Sequence, residues 1–333
     1  MEDKINKMDQ VPGADFGEEV RSGISRLIEN IKKVIYIPRN KLEYLLAAKL
    51  AGGHVILADA HGVGKTSLAR ALAGSISWNN TDKDSIMETF SRIQCTVDLL
   101  PQDILGYNRL DGTSRHMIFV KGPIFAHFVL CDEINLLTPK TQGGFFQAME
   151  EQMVSIEGRN YDLGSPYFII ATMNLKGVHL FPLPAPQLDR FMIQLSLGFP
   201  EKEMEIEIVK KHGRLDAWKD FSAVISMTEL QKWQSYVDNI SIHPDIVQYI
   251  VACVQATRNE PEVLMGASPR TGVKLSRLVR ALALLRGQDF VTIDLVKEVF
   301  FICLAHRLVL QDSSQNAESI LERILNKVPV KMP

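Results

Sequence analysis

One short stretch constrains this chain more than any other. An apolar run, Val55 to Ala58, leads into Asp59-Ala60-His61-Gly62-Val63-Gly64-Lys65-Thr66, and a helical pattern continues from Thr66 to Ala73. Strand, glycine-rich turn and helix together let backbone N–H groups converge on an anion at a helix N-terminus. Small residues are needed so that the backbone can approach closely. Gly62, Val63, Gly64, Lys65, Thr66 and Ser67 are therefore candidate phosphate-binding residues. Lys65 would reach the β and γ phosphates, and the Thr66 hydroxyl would bind Mg²⁺. The strict pattern is incomplete, because its first glycine position holds Asp59.

Further strand-like runs follow at Arg92 to Thr96, Phe128 to Cys131, Tyr167 to Thr172 and Phe191 to Leu195, with helical segments between them. Such alternation predicts an α/β fold with a parallel sheet covered on both faces. Upstream, helical spacing runs from Ile24 to Val34 and from about Lys41 to Leu50, stopped by Gly52-Gly53. Residues 1–22 read as an N-terminal tail, 23–200 as the α/β core, and 201–333 as a helical domain, because strand signals fade after Phe199-Pro200.

Composition narrows the function classes. The 333 residues allow about two domains, and 46% apolar with 23% charged residues excludes a disordered chain. Thirty-seven basic against 39 acidic side chains leave no excess to drive nucleic-acid binding. Cys95, Cys131, Cys253 and Cys303 are scattered and predict buried thiols rather than a zinc site or disulfides. Without an apolar run of about 18 residues, the expectation is a soluble cytoplasmic protein with no direct membrane insertion.

Chemistry-bearing residues recur at the strand ends. Phe128 to Cys131 ends in Asp132-Glu133, where parallel sheets bind ligands. Asp132 can hold Mg²⁺ through its water shell, and Glu133 can orient and deprotonate an attacking water. Asn174 follows the run Tyr167 to Thr172 and could hydrogen-bond that water or the γ phosphate. Arg190, just before another strand, could neutralise charge developing on phosphate; a surface pairing with Asp189 is the simpler alternative. Ser268-Pro269 reads as N-cap and first residue of a long helix. Arg270 then sits in a first turn that disfavours cations, which points to an anionic partner elsewhere.

The set Gly62-Val63-Gly64-Lys65-Thr66, Asp132-Glu133-Ile134-Asn135, Ala171-Thr172-Met173-Asn174, Leu188-Asp189-Arg190-Phe191 and Ser268-Pro269-Arg270 resembles AAA+ ATPases, and more narrowly the MoxR family. Connecting stretches fit as well: Arg92-Ile93-Gln94, Asp98-Leu99-Leu100-Pro101, Lys121-Gly122-Pro123-Ile124-Phe125, Pro139-Lys140-Thr141-Gln142, Ala148-Met149-Glu150-Glu151 and His306-Arg307-Leu308. The resemblance implies a P-loop NTPase core with a helical C-terminal lid, and ATP with Mg²⁺ as cofactors. It implies Walker A roles for Lys65 and Thr66, Walker B roles for Asp132 and Glu133, sensor 1 for Asn174, an arginine finger in Arg190 and sensor 2 in Arg270. It further implies a homo-oligomeric, commonly hexameric, ring in which Arg190 acts on the neighbour's ATP. Two inserted hairpins are expected, in Leu105 to Phe119 and in Gln152 to Tyr167, facing the pore or top of the ring. The usual partner carries a von Willebrand factor A domain, and the usual role is chaperone-like maturation of a client.

The chain departs from that pattern at Asp59, Ala60 and His61, and Leu136 stands where a basic residue is common. A carboxylate about 4–6 Å from phosphate costs on the order of 1 kcal/mol, so weaker nucleotide binding is expected unless Asp59 turns to loop amides instead. Two alternatives stay open: a nucleotide-gated scaffold with little or no hydrolysis, and the ATPase subunit of a metal chelatase. A small-molecule P-loop kinase, needing no Arg190, is a more distant third.

Overall fold

The computed structural model describes residues 14–59, 62–78, 87–112, 116–173, 181–210, 218–312 and 314–330. Its centre is five parallel strands: β1 (Val55–Ala58), β2 (Glu88–Gln94), β3 (Ala126–Asp132), β4 (Phe168–Met173) and β5 (Ile193–Leu195). They pair in the order β5-β1-β4-β3-β2. Val55 lies opposite both Ile193 and Ile170, and Cys131 lies opposite Ala171.

The three central strands, β1, β4 and β3, are almost wholly apolar because both of their faces are covered, whereas the edge strand β2 is mostly polar and partly exposed. Side chains alternate between faces: Val55, Leu57, Phe128, Leu130, Phe168 and Ile170 join one apolar cluster. Ile56, Val129, Cys131, Ile169 and Ala171 join the other. The first face is packed by α1 (Ala14–Lys32), α2 (Arg39–Leu50) and α3 (Lys65–Gly74). The second is packed by α4 (Pro139–Glu151) through Phe145 and Phe146.

Helix α1 begins inside the segment read as a tail. Its apolar stripe is Phe16, Val20, Ile24, Leu27, Ile28 and Ile31, all buried. Only Phe16 and Val20 fall before residue 23, so the period is too sparse to see there alone, yet both stay in register with the later stripe.

After Pro200 the described chain is mainly helical: α5 (Lys202–Lys210), α6 (Met227–Tyr236), α7 (Pro244–Ala256), α8 (Pro269–Leu285), α9 (Ile293–Leu304) and α10 (Ala317–Lys327). A short antiparallel pair joins Val263–Met265 to Val309–Leu310. These helices share the α1–α3 cluster through residues such as Trp233, Leu278, Leu282 and Val299. The bidentate Arg286 clasps Glu298 of α9 and Glu43 of α2 at 2.7 and 3.0 Å, fixing the helical part to the core.

Both inserted hairpins are present, as Gly106–Leu110 with Met117–Lys121 and as Met153–Ile156 with Arg159–Asp162. All four cysteines are buried free thiols. No helix among the described residues is long and apolar enough to cross a membrane.

Candidate functional site

The phosphate loop lies where β1 ends and α3 begins. Gly62 and Gly64 have φ of 84° and 88°, a left-handed backbone that glycine adopts without steric cost. At Gly64 a Cβ would also come within 2.7 Å of the Ile35 Cδ1, which would have to move aside. Lys65, Thr66 and Ser67 form the first turn of α3, where backbone N–H groups have no partner within the helix. Lys65 is buried, and its Nζ donates to the Asp59 carbonyl at 3.0 Å.

The Asp59 carboxylate points elsewhere. It accepts from Ser196 Oγ at 2.6 Å, from the Leu197 amide at 2.7 Å and from the Gly198 amide at 3.1 Å. Of the two placements open from the sequence, the structure has the one in which Asp59 serves loop amides. Leu197 and Gly198, with Ile35, Tyr36, Ile37, Pro38, Phe199 and Met204, line a cavity of about 590 Å³ beside the loop. Asp59 thus braces a wall of that cavity. Ala60 and His61 lie outside the described residues.

The carboxylate pair ends β3. Asp132 Oδ2 accepts from Arg92 Nη2 at 2.6 Å, and Oδ1 accepts from Thr172 Oγ1 at 2.7 Å. Glu133 has φ 59° and ψ 53°, a left-handed conformation that costs a non-glycine residue about 1–3 kcal/mol and persists only where its surroundings enforce it. Its amide donates to the same Thr172 Oγ1 at 2.8 Å. Asn174, expected beside this pair, lies outside the described residues. Thr66 and Asp132 supply the hard oxygen donors that suit Mg²⁺, and the Gly62–Gly64 loop fits a polyphosphate.

Arg190 and Arg270 meet at the other edge of the sheet. Arg190 precedes β5 by three residues, and the Met192 amide donates to the His54 carbonyl just ahead of β1 at 2.7 Å. β1 spans roughly 13 Å at about 3.3 Å per residue, so the Arg190 backbone sits at the opposite end of that strand from the phosphate loop. Its partner is Glu150 of α4 at 3.0 Å, rather than the neighbouring Asp189. Glu150 also pairs with Arg270 at 3.8 Å, which supplies the anionic partner expected for a cation in a first helical turn. Ser268 is the N-cap of α8, but its side chain does not cap; it donates to Asp189 at 3.3 Å.

A buried residue of the helical region holds the segment after Arg190 in place. Arg307 donates to Asp189 Oδ1 at 2.8 Å and to the Met192 carbonyl at 3.2 Å, and also to the Phe191 carbonyl. Burial pushes the nearby Lys274 amine down to about 8. Thr172, Arg92, Glu150 and Arg307 were not singled out as site residues from the sequence. Each stands inside a stretch that carries the family resemblance, but only strand register and packing reveal what it touches.

A phosphate loop facing a carboxylate pair on the C-terminal edge of a parallel sheet, with a helical region beyond, defines a P-loop ATPase with a lid. The family model for ATPases associated with various cellular activities (AAA) matches residues 54–193, and the AAA lid domain model matches residues 255–325. Chaperone MoxR1 of Mycobacterium tuberculosis is 34% identical over 316 residues, covering 92% of this chain and 80% of that protein. The uncharacterized protein YeaC of Bacillus subtilis is 35% identical over 323 residues, covering 95% and 98%. A crystal structure of a candidate ATPase from Cytophaga hutchinsonii superposes with a TM-score of 0.85 at 28% identity, covering 96% of this chain and 98% of that one. The chain belongs to the MoxR family of AAA+ ATPases.

Proposed function

We propose that this protein hydrolyses Mg·ATP as a ring, commonly a hexamer, and uses the cycle for chaperone-like remodelling or maturation of a partner complex. The observation that carries this is the split of the machinery between two sheet edges. Lys65, Thr66, Asp132 and Glu133 stand at one, and Arg190 with Arg270 at the other. A second copy would bring its arginine edge to the first copy's phosphates. Bound magnesium would polarise the phosphates and screen their charge. Lys65 and the α3 amides would hold the anion, Glu133 would take the proton of the attacking water, and Asn174 would orient that water. The 590 Å³ cavity beside the loop, with its apolar Ile35, Ile37 and Pro38, suits the base.

The chaperone name of the mycobacterial relative supports the remodelling role. The partner is proposed to carry a von Willebrand factor A domain, as the family resemblance implies, with the client bound separately. The test is ATP turnover measured against protein concentration, for the wild type, Glu133→Gln and Arg190→Ala. A rate per protomer that rises steeply with concentration and is lost in both variants is expected. Nucleotide binding without any phosphate release at any concentration would favour the gated scaffold instead.

A further inference from the structure

We propose that Thr172 is a positioning residue for hydrolysis, one hydroxyl that sets both members of the carboxylate pair; this role rests on the ATPase reading above. Thr172 is fully buried near the end of β4. The β3–β4 register, with Cys131 opposite Ala171, places the Thr172 side chain beside Asp132. Hydrogen-bond polarity then fixes what the hydroxyl does. The Glu133 amide can only donate, so Thr172 Oγ1 accepts from it at 2.8 Å. An ionised carboxylate can only accept, so the single hydroxyl proton goes to Asp132 Oδ1 at 2.7 Å. Both capacities are used in opposite senses by adjacent residues of one turn.

Two consequences follow for the reacting groups. The Asp132 carboxylate is held in one rotamer, with Oδ1 committed to Thr172 and Oδ2 turned to Arg92 at 2.6 Å. The Arg92 side chain is 45% exposed against 14% for Asp132, so Thr172 is the buried, fixed contact and Arg92 the movable one. Oδ2 is therefore the oxygen that a hydrated cation would address once the guanidinium gives way. The Glu133 backbone is held in its left-handed conformation by the same hydroxyl and by the 2.8 Å bond from the Leu136 amide to the Glu133 carbonyl. That conformation decides where the Glu133 carboxyl is aimed. A general base displaced by about 1 Å loses on the order of 100-fold in rate, so the hydroxyl acts on catalysis without touching substrate.

The discriminating variants are Thr172→Val, which keeps the β-branched shape but removes the hydroxyl, Thr172→Ala, and Thr172→Ser, which keeps the hydroxyl. Three quantities are measured on the full chain: ATP turnover, hydrogen exchange at the Glu133 amide without nucleotide, and ADP affinity in EDTA. Valine and alanine should each lower kcat about 10- to 100-fold. They should also release the Glu133 amide to faster exchange and leave metal-free ADP affinity within about threefold of wild type. Serine should restore both turnover and amide protection, which a role in core packing alone would not predict. An active wild type whose valine and alanine variants turn over at the same rate overturns the role of Thr172 while hydrolysis stands. A serine variant as slow as valine overturns it equally. A wild type with no turnover, indistinguishable from Glu133→Gln, removes the hydrolytic reading and this role with it.

Discussion

At the C-terminal edge of the sheet the protein offers backbone amides, carboxylates and the Lys65 amine; at the N-terminal edge it gathers arginines around Glu150. The first edge gathers Gly62, Gly64, the α3 amides, Lys65, Asp132 and Glu133, with Lys65 bonded to the Asp59 carbonyl and the carboxylate pair to Thr172. The second gathers Arg190, Arg270 and Lys274, with Glu150 as the carboxylate between the two arginines. Neither edge is a complete ATPase site. A phosphoryl-transfer site needs an anion cradle, a water-activating base and a cation for developing charge. Lys65 is a cation at the first edge, but the arginine proposed for developing charge, Arg190, is on the opposite side of this chain's own sheet.

The sharpest way to break that comparison is to disable one edge per protomer. Glu133→Gln and Arg190→Ala should each reduce turnover by more than about 100-fold. Mixed in equal amounts, the two variants should recover measurable activity. Some interfaces would then pair an intact Glu133 with an intact Arg190. Recovery measured by phosphate release supports a site shared between copies. An Arg190→Ala protein that is fully active, or mixtures no better than their components, would mean that the two edges work independently. Arg270→Ala should give a smaller loss, about 10-fold. Arg270 is 79% exposed and only 3.8 Å from Glu150, so it is less firmly held than Arg190. Binding of ADP to its own protomer should be unchanged.

The two edges also differ in how far sequence discloses them. The phosphate loop and Asp132-Glu133 are contiguous, and each lies at a strand end marked by an apolar run, so local pattern alone finds them. The arginine edge is built from residues 150, 190, 270 and 307, which only the fold brings together. The motif resemblance gives Arg190 and Arg270 roles, whereas the Glu150 that joins them lies in a matching stretch to which it gives none. Thr172 is hidden for another reason: a threonine ending an apolar strand looks like an ordinary β-branched residue until register sets it beside Asp132. The start of α1 is hidden in the sequence because two apolar residues, Phe16 and Val20, are too few to show a period. Asp59 is the opposite case, an evident oddity whose orientation only the structure decides.

That orientation can be tested. If the carboxylate mainly braces the cavity wall, Asp59→Ala should lower unfolding stability by about 1–3 kcal/mol, because the Leu197 and Gly198 amides lose their acceptor. It should also weaken nucleotide binding modestly, by less than about tenfold. Denaturant unfolding and a fluorescent-nucleotide titration measure the two effects. Tighter nucleotide binding with no stability loss would show that repulsion of phosphate outweighs the bracing.

The smallest effect on turnover, and the cleanest on stability, should come from a cation that faces no solvent. Lys49, in the last turn of α2, is buried with its Nζ over the Phe168 ring at 5.6 Å, and Nζ has no hydrogen-bond partner. Burial lowers its amine to about 7 from an ordinary 10.5. Between those values the folded protein binds fewer protons than the unfolded chain, so this group makes stability rise with pH from about 7 to 10.5 and fall as pH drops through that window. Lys49→Met keeps the length and removes the charge. It should stabilise the protein at pH 7 by about 1–4 kcal/mol and flatten the slope across the same window, as read from urea midpoints at several pH values. The adjacent His54, held neutral down to about 3 chiefly by burial, would still titrate at lower pH. A destabilised Lys49→Met protein with an unchanged slope would mean that Lys49 stays charged in the fold. It would then belong with Arg190 and Arg270 among the permanent cations of the second edge.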